Sequence, residues 1–382
     1  MQTNPLSPKA HFPILDGLRG VAAIMVVAFH IFEANAPNRF EQIINHGYLA
    51  VDFFFLLSGF VIGYAYDDRW NKMTVGSFFQ RRLVRLQPMV VMGMIVGALC
   101  FYFQDATIWP GISEVPVWKM LLVMLVGFTL IPLPPSMDIR GWNEMHPLDG
   151  PGWSLFFEYI ANFLYAIVVR KFSNLLLGIL VFISGAFLVH YLVMGPNGDV
   201  IGGWSLDKVQ IPIGFTRMMY PFFAGLLLFR VFKIIPVKNA FLLCSVLVVI
   251  VLALPRFGDK DTLWMNGIYE SIAILFLFPL IVFLGAGGTV KGKFATSLCK
   301  FFGDISYPIY ITHYPIIYIY TAWVLNNKVP LKDAWPYGVI TMVSSIILAY
   351  VCLKFYDEPL RAWLNQKLKR GKNKTTSKEL SY

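Results

Sequence analysis

Long apolar runs separated by short polar loops recur along nearly the whole chain. Runs of about 17 to 25 apolar residues can each cross a bilayer as an α-helix. Because a membrane-embedded segment must satisfy its backbone hydrogen bonds internally, the runs predict an all-α, polytopic membrane protein. Eleven candidate spans are visible, at residues 18–34, 48–66, 86–104, 118–133, 151–170, 174–194, 211–231, 238–256, 264–285, 303–326 and 335–355.

Basic loops give these spans an expected orientation, since cytoplasmic loops are enriched in Lys and Arg. Residues 67–85 and the tail from Lys354 to Lys378 are both basic, which predicts that both termini are cytoplasmic. Two termini on one side require an even number of crossings. The run at 118–133 is the shortest and ends in a proline-rich, helix-stopping sequence. We therefore predict about ten transmembrane helices and one re-entrant or interfacial helix near 118–133.

Composition agrees with a membrane protein, because 57% of the residues are hydrophobic and only 14% are charged. The net charge of +10 collects in short loops and the tail, so nucleic acid is not an expected partner, whereas membrane lipids are. The four cysteines show no CxxC spacing, and neither a disulfide nor a metal site is expected. A single Lys9 precedes the first helix with no cleavage signal after it, which predicts a retained signal anchor.

The chain is predicted to form one membrane domain over residues 1–360. Residues 361–382 are polar and basic without an apolar period, which predicts a disordered cytoplasmic tail near anionic lipid. Oligomeric state leaves no signal in the sequence.

The first helix carries Arg19 at one end and His30 deep inside an apolar run. Eleven residues at about 100° each make roughly three full turns, so the two side chains leave one face about 16 Å apart along the axis. Asp16 lies three residues before Arg19 and can pair with it. Ionisable groups inside a membrane are costly, so they usually pair, line a wet cavity or act chemically.

His30 is the strongest catalytic candidate, because a neutral imidazole can accept a proton from a hydroxyl group. A histidine that hydrogen-bonds two helices together is the structural alternative. The alignment with Arg19 favours catalysis.

Arginines at the expected cytoplasmic surface could grip phosphate groups with paired hydrogen bonds. Arg81, Arg82 and Arg85 form the sequence RRLVR, with Arg85 last before an apolar run. A positive-inside cluster without a ligand is the alternative. Arg217 is a further charge among apolar residues, and it either binds a substrate or snorkels to the interface.

Polar residues also open the run after Gly150. Trp153, Ser154 and Glu158 are expected near the outer surface, where Glu158 could orient an imidazole or bind a sugar hydroxyl. Helix capping by Ser154 with an interfacial Glu158 is the structural alternative. His313 is predicted to share one helix with Ser306 and Tyr307, and structure and function remain equally open for it.

Four tryptophans are expected near the outer boundary, where they either anchor the protein in the interface or stack on sugars. They are Trp109, Trp142, Trp153 and Trp204. No HExxH, GxSxG or phosphate-cradling glycine loop occurs, which argues against a hydrolase that forms a serine ester.

Seven motifs in order resemble the integral-membrane acyltransferase family 3, bacterial O-acyltransferases that act on surface glycans. The resemblance covers residues 12 to about 361. The motifs are LDGLRG with Arg19-x10-His30, VDFFFLLSGFVI, RRLVRLQP, GPGWSLFFE, RMMYPFFAGLLLF, GDISYPIYITH and DEP.

The resemblance implies that an acyl group, most often acetyl from cytoplasmic acetyl-CoA, is moved to a hydroxyl group. The acceptor would be a cell-surface or lipid-linked glycan, such as O-antigen or exopolysaccharide, at the bacterial inner membrane. His30 would be the general base, with Arg19 and Glu158 as the other expected catalytic residues. The residues expected at the CoA phosphates or orienting the donor are Asp16, Arg19, Arg82 and Arg85, and those expected at the acceptor are Trp153, Ser154, Arg217 and His313.

Family members often carry a soluble SGNH-type domain after the last span, and this sequence ends about twenty residues after DEP. Either the membrane domain completes the transfer itself or a separate protein does. A transporter or flippase of a lipid-linked sugar or anion is the alternative function, since many such proteins hold charges inside the membrane. A passive subunit of a glycan-export complex is a third possibility.

Overall fold

The fold is helical throughout the part of the chain that the computed structural model describes, residues 12–233 and 235–379, with side chains to residue 368. No β-strand occurs within those residues. The α-helices are α1 Pro13–Asn35, α2 Ala50–Tyr66, α3 Val75–Cys100, α4 Val117–Gly127, α5 Gly152–Ile167, α6 Asn174–Met194, α7 Gln210–Val231, α8 Ala240–Ala253, α9 Trp264–Ile272, α10 Phe278–Ala286, α11 Lys293–Thr312, α12 Tyr314–Asn327, α13 Leu331–Cys352 and α14 Glu358–Glu379. Single π-helical turns join α9 to α10 and α13 to α14.

Within these residues, seven helical stretches are long and apolar enough to cross a membrane, which makes the chain a multi-pass membrane protein. They are Pro13–Asn35, Gly47–Tyr66, Val75–Gln104, Asn174–Met194, Gln210–Val231, Trp264–Ala286 and Leu331–Leu368. The expectation of about ten crossings therefore remains a prediction, as does the cytoplasmic placement of the termini. Residues 1–11, which contain Lys9, and residues 380–382 lie outside the described part of the chain.

The segment predicted to be re-entrant or interfacial contains the short helix α4. Its 11 residues make it about 16 Å long, which is well below the roughly 30 Å of a hydrocarbon core. The helix begins after Pro116 and ends at Gly127, before a left-handed residue at Leu130 with φ 59°. The apolar run continues to residue 133, but the helix does not.

The run at 303–326 was expected to be one helix, and the structure divides it at His313. Pro315 has no backbone N–H, so it cannot continue the hydrogen-bond ladder of α11 into α12. His313 consequently lies at a helix junction, whereas Ser306 and Tyr307 lie inside α11. The prediction that all three share one helix was wrong for His313.

Helix α14 continues to Glu379, into the segment whose disorder and cytoplasmic placement stay predictions. Its first part carries apolar residues at positions i, i+3, i+4 and i+8, namely Leu360, Trp363, Leu364 and Leu368. That spacing gives one apolar helix face beside basic residues, as in helices that lie along a membrane surface.

Helix α1 lies at the centre of the molecule and contacts α2, α8, α10, α11, α12 and α13. Its approach to α11 depends on a glycine, since a Cβ at Gly20 would lie 2.2 Å from the backbone oxygen of Phe302. Helices α2 and α7 approach each other in the same way. A Cβ at Gly59 would lie 1.8 Å from the oxygen of Phe222, and one at Gly225 would lie 2.0 Å from that of Leu56. Small residues let membrane helices pack closely where apolar burial gives little driving force.

Candidate functional site

Two cavities meet inside the helix bundle. The first, which we call the arginine cavity, has a volume of about 880 Å³ and is bordered by α1, α2, α3, α5, α11 and the junction of α13 with α14. It is defined here by Asp16, Arg19, Arg81, Arg82, Arg85 and Glu158. Its lining is rich in charged side chains of both signs.

The second cavity has a volume of about 490 Å³, and its lining is rich in aromatic residues. We call it the tryptophan cavity, defined by Trp109, Trp142, Trp153 and Trp204 together with His30 and Glu33. The structure thus brings the four tryptophans that the sequence placed near the outer boundary to one cavity, as sugar stacking requires.

A shared wall separates the cavities. Val51 and Tyr310 line both of them. The Ser154 Oγ and Tyr310 hydroxyl atoms lie 2.7 Å apart in a hydrogen bond in which either can donate. Helix α5 begins at this wall, so Trp153 lines the tryptophan cavity and Ser154 lines the arginine cavity.

Helix α1 runs past both cavities. Arg19 lines the arginine cavity, and His30 lines the tryptophan cavity. Helical spacing predicts that both side chains lie on one face of this helix, about 16 Å apart along its axis. A single helix therefore presents a guanidinium to one cavity and an imidazole to the other.

Two carboxylates compensate arginines inside the arginine cavity. Arg19 Nη1 donates to Asp16 Oδ1 at 3.2 Å, as the sequence suggested. Arg82 donates to Glu158 Oε1, which also accepts from Ser58 Oγ at 2.7 Å. Glu158 was expected on the outer side, orienting an imidazole or binding a sugar. It lies in the arginine cavity instead, because α5 starts at the shared wall and carries Glu158 away from His30.

Two other arginines of this cavity keep uncompensated charge. Arg81 and Arg85 form no salt bridge with any residue that the structure describes, and both are exposed. Since their neighbours Arg19 and Arg82 are already paired, Arg81 and Arg85 are the cations most available to an anionic ligand.

His30 has a carboxylate partner that the sequence reasoning missed. Its Nδ1 atom lies 2.8 Å from Oε2 of Glu33, one helical turn later. The ring of Tyr314 packs edge-on against the imidazole at 4.7 Å between centroids. His30 Nε2 has no hydrogen-bond partner within the described residues, so the atom that a base would use is available. The i, i+3 spacing of His30 and Glu33 could have revealed this pair.

His313 stacks against His30 with 5.8 Å between ring centroids. Its Nδ1 lies 2.9 Å from the carbonyl oxygen of Ile309 and must donate the proton of that bond. If the ring is neutral, Nε2 of His313 is the unprotonated nitrogen, and this atom is buried without a partner in the described structure. His313 lies beside the base candidate, although it does not itself line either cavity.

Arg217 neither snorkels nor offers a free charge. Its Nη2 donates to Asp52 Oδ2 at 2.6 Å and to the carbonyl oxygen of Tyr48 at 2.7 Å, in a fully buried pair. Its guanidinium lies 5.1 Å from the ring centroid of Trp153. The sequence reasoning missed Asp52 as the partner. The pair supports the wall of the tryptophan cavity, and Arg217 brings no uncompensated charge to an acceptor.

The loop between α4 and α5 adds a buried acid that the sequence did not indicate. Glu144 lines the tryptophan cavity and accepts a hydrogen bond from the Tyr318 hydroxyl at 2.7 Å. Burial raises the pKa of Glu144 to about 7, although the nearby Arg140 guanidinium and the Tyr318 hydrogen bond both oppose that rise. Glu144 can therefore change its charge near neutral pH.

No group of three or more His, Cys, Asp or Glu residues could hold a metal ion within the described residues. The arrangement is instead that of a membrane protein with a cationic cavity and an aromatic cavity divided by a thin wall, which suits group transfer from an anionic donor to a neutral acceptor. The chain belongs to the acyltransferase family whose model, described as "Acyltransferase domain", matches residues 12–354.

Individual relatives agree with the family. The chain is 33% identical over 174 residues to "Protein 2 in picA locus" of Rhizobium radiobacter, a match that covers 42% of this chain and 83% of that protein. It is 24% identical over 367 residues to the O-acetyltransferase OatA of Staphylococcus aureus, covering 93% of this chain and 58% of OatA. A putative O-acetyltransferase of Staphylococcus aureus is 21% identical over 373 residues, covering 92% and 57%.

The chain thus spans little more than half the length of the named O-acetyltransferases that it matches. No solved structure matches the chain.

Proposed function

We propose that the protein is a membrane O-acyltransferase that takes an acyl group from an acyl-CoA in the arginine cavity and passes it to a hydroxyl group in the tryptophan cavity. One observation carries the proposal: helix α1 gives Arg19 to the first cavity and His30 to the second, and the cavities share the wall of Val51 and Tyr310. Acetyl is the favoured acyl group because matched relatives are named O-acetyltransferases.

The arginine cavity fits the phosphate groups of CoA. Arg81 and Arg85 carry guanidinium groups without salt-bridge partners in the described structure, and a guanidinium matches phosphate geometry with two parallel hydrogen bonds. The carboxylates of Asp16 and Glu158 hold Arg19 and Arg82 in place beside them. Asp16 and Glu158 would orient these arginines and would not contact phosphate themselves, because like charges repel.

The chemistry follows from the His30–Glu33 pair. Nε2 of His30 removes the proton of the acceptor hydroxyl as its oxygen attacks the thioester carbonyl carbon. A C–O ester bond forms, the C–S bond breaks, and the proton passes to the leaving thiolate, which gives an ester and free CoA thiol. Glu33, at 2.8 Å from Nδ1, fixes the ring orientation and stabilises the imidazolium formed in the step.

The acceptor that best suits the aromatic lining is a glycan. Pyranose rings have apolar C–H faces that pack on aromatic rings, and their hydroxyl groups are the nucleophiles that this reaction needs. We extend the proposal to a cell-surface or lipid-linked glycan, such as O-antigen or exopolysaccharide, modified at the bacterial inner membrane.

The test uses membranes that contain the full chain, supplied with radiolabelled acetyl-CoA and the glycan of the producing cell. Label that enters glycan in a hydroxylamine-labile ester supports the transferase, and His30→Ala should abolish it. The matched control is His190→Ala, which removes an exposed histidine of α6 that lines neither cavity.

The opposite result is also defined. Uptake of labelled sugar or anion without ester formation would favour the hypothesis of a transporter or flippase. Equal ester formation by wild type and His30→Ala, at equal protein level, would remove His30 as the base.

A further inference from the structure

A second polar cluster lies in the tryptophan cavity beyond the His30–Glu33 pair. Glu144, Trp109, Trp142 and Tyr318 line this part, and Arg140 supports it from behind with its guanidinium 3.6 Å from the ring centroid of Tyr318. The cluster joins the loop between α4 and α5 to helix α12. The proposed transfer chemistry uses none of these residues.

Two buried polar atoms of the cluster have no hydrogen-bond partner within the described structure. One is Oε2 of Glu144, an acceptor that lies 3.4 Å from Nε of Arg140 in an ion pair without a hydrogen bond, and the other is Nε1 of Trp109, a donor. Oε1 of Glu144 is already occupied by the Tyr318 hydroxyl. A buried polar atom without a partner costs free energy, so such atoms usually meet a ligand or an ordered water. A ligand with hydroxyl groups supplies both the donor and the acceptor that these atoms lack.

The cluster also contains an accessible aromatic surface. Trp142 is 42% exposed, while its neighbour Trp109 is almost fully buried and meets it edge-on with 5.3 Å between ring centroids. Trp109 thereby fixes the orientation of Trp142, whose exposed surface can receive the apolar face of a sugar ring.

The charged side chains that line the tryptophan cavity disfavour a negatively charged sugar. The lining cations Arg39 and Arg217 each have a carboxylate partner, with Arg39 Nη1 3.1 Å from Asp199 Oδ2. Glu33 and Glu144 add two acidic groups to the same lining, of which Glu144 is paired with Arg140. An acidic sugar would meet carboxylates without a free cation to compensate its charge.

The position of the cluster relative to His30 is set by two aromatic rings. The Tyr314 ring lies 4.7 Å from the imidazole and 4.5 Å from the ring of Tyr318, whose hydroxyl reaches Glu144. The rings of Tyr314 and Tyr318 therefore lie between His30 and Glu144.

We propose that Trp142, Trp109 and Glu144 form a binding subsite for a neutral pyranose ring of the acceptor, distinct from the ring whose hydroxyl faces His30. The proposal rests on the proposed acyl transfer to a glycan and adds how the glycan is held. Trp142 packs on the ring face, Glu144 accepts from a ring hydroxyl, and Trp109 donates to another. The distance to His30 then helps to select which hydroxyl is acylated.

Binding can be measured without any donor, so the subsite and the transfer reaction are tested separately. The probes are p-nitrophenyl β-glycosides of glucose, galactose, N-acetylglucosamine and glucuronic acid, observed by saturation-transfer NMR with the full chain in nanodiscs. At least one neutral probe should bind, and Trp142→Ala should weaken it about tenfold, the effect of losing one aromatic contact. Glu144→Gln should weaken it by about tenfold or more, because a bond to a charged acceptor is lost.

Controls keep the test independent of folding. Trp142→Phe should recover most of the binding, and Trp118→Ala should leave it unchanged, because Trp118 is 67% exposed on α4 and lines neither cavity. His30→Ala should still bind the probe.

Several outcomes would overturn the subsite. They are no binding of any neutral probe, tighter binding of the glucuronide, or equal losses in Trp142→Ala and Trp118→Ala. A neutral probe could bind wild type and not Trp142→Ala while wild-type membranes form no ester. That result would support the subsite and contradict the proposed acyl transfer.

Discussion

The arginine cavity and the tryptophan cavity lie on one helix and yet recognise different chemistry. In the first, arginines are positioned by carboxylates from other helix positions, as in the Arg82–Glu158 pair between α3 and α5. In the second, charge is sparse or paired, and aromatic rings form a large part of the lining. The difference indicates that one side selects its ligand by charge and the other by shape and hydroxyl groups. The reacting atoms must then meet at the wall between them.

The largest expected effect comes from the residue that links the two cavities chemically. His30→Ala removes the proposed base and should lower kcat for acyl transfer by about 10²- to 10⁴-fold, the usual contribution of general-base catalysis. Donor binding in the arginine cavity should not change. Initial rates with labelled acetyl-CoA check the prediction, with His190→Ala as control. Loss of donor binding in His30→Ala would contradict the assignment of the donor to the arginine cavity and of His30 to the other cavity.

A stability difference should distinguish paired from unpaired arginines. Arg82→Ala leaves Glu158 in a largely buried position with the Ser58 hydroxyl but without its cationic partner, and breaking a buried ion pair costs about 3–5 kcal/mol. Arg85 has no such partner in the described structure, so Arg85→Ala should leave the thermal midpoint in detergent near that of wild type. Equal midpoints for the two variants would contradict the assigned pairing.

Arg85→Ala should instead act on the donor. We expect the KM for acyl-CoA to rise about tenfold, with kcat nearly unchanged, because a charge-assisted bond to phosphate contributes roughly 1.5–3 kcal/mol. Arg85→Lys should recover only part of the loss, since an ammonium cannot form the bidentate contact. Steady-state kinetics with varied acetyl-CoA gives both constants. A change in the KM of the acceptor alone would contradict the proposed role of Arg85 in binding the donor.

Glu33→Gln tests the orienting role of the carboxylate. An amide oxygen can still accept from Nδ1 of His30, but it cannot stabilise an imidazolium by charge. We expect kcat to fall about tenfold, while KM for both substrates and the thermal midpoint stay near wild type. Glu33→Ala should lower kcat further. An unchanged kcat in both variants would mean that the pair does not serve catalysis.

The smallest expected effect is a pH dependence in the tryptophan cavity. The pKa of Glu144 is raised to about 7, so its carboxyl group is protonated below that pH and ionised above it. The ionised form accepts hydrogen bonds more strongly, and glycan binding should therefore weaken about threefold or more as pH falls through 7. Arg140, Asp138 and Tyr318 face this group and are unchanged in Glu144→Gln, whose binding should not vary over this range. The same pH profile in that variant would exclude Glu144 as the cause.

The helical class of the fold followed directly from hydrophobic patterning, because runs of membrane length can only be helices or closed barrels. Interruptions were harder to predict. Pro315, two residues after His313, cannot donate a backbone hydrogen bond, and α11 and α12 are separate helices there. Hydrophobic periodicity alone does not show where such a break falls. Close helix approaches at Gly20, Gly59 and Gly225 were not visible either, since they depend on the partner backbone.

The site was predictable where its geometry is local. Arg19 and His30 could be placed on one face of α1 by helical spacing alone. Partners from distant segments could not be predicted: Asp52 for Arg217, Arg82 for Glu158, and Tyr318 for Glu144 come from different helices or loops. Glu158 was misplaced because the depth of an α5 residue depends on where that helix starts, and α5 starts at the shared wall.

The most direct test of the account uses liposomes with the full chain inserted in one orientation. Labelled acetyl-CoA is enclosed on the side of the arginine cavity, and glycan is added only on the side of the tryptophan cavity. The account predicts hydroxylamine-labile label on the glycan, absent with His30→Ala and absent when donor and acceptor exchange sides. Ester formation only when donor and acceptor share one side would contradict it.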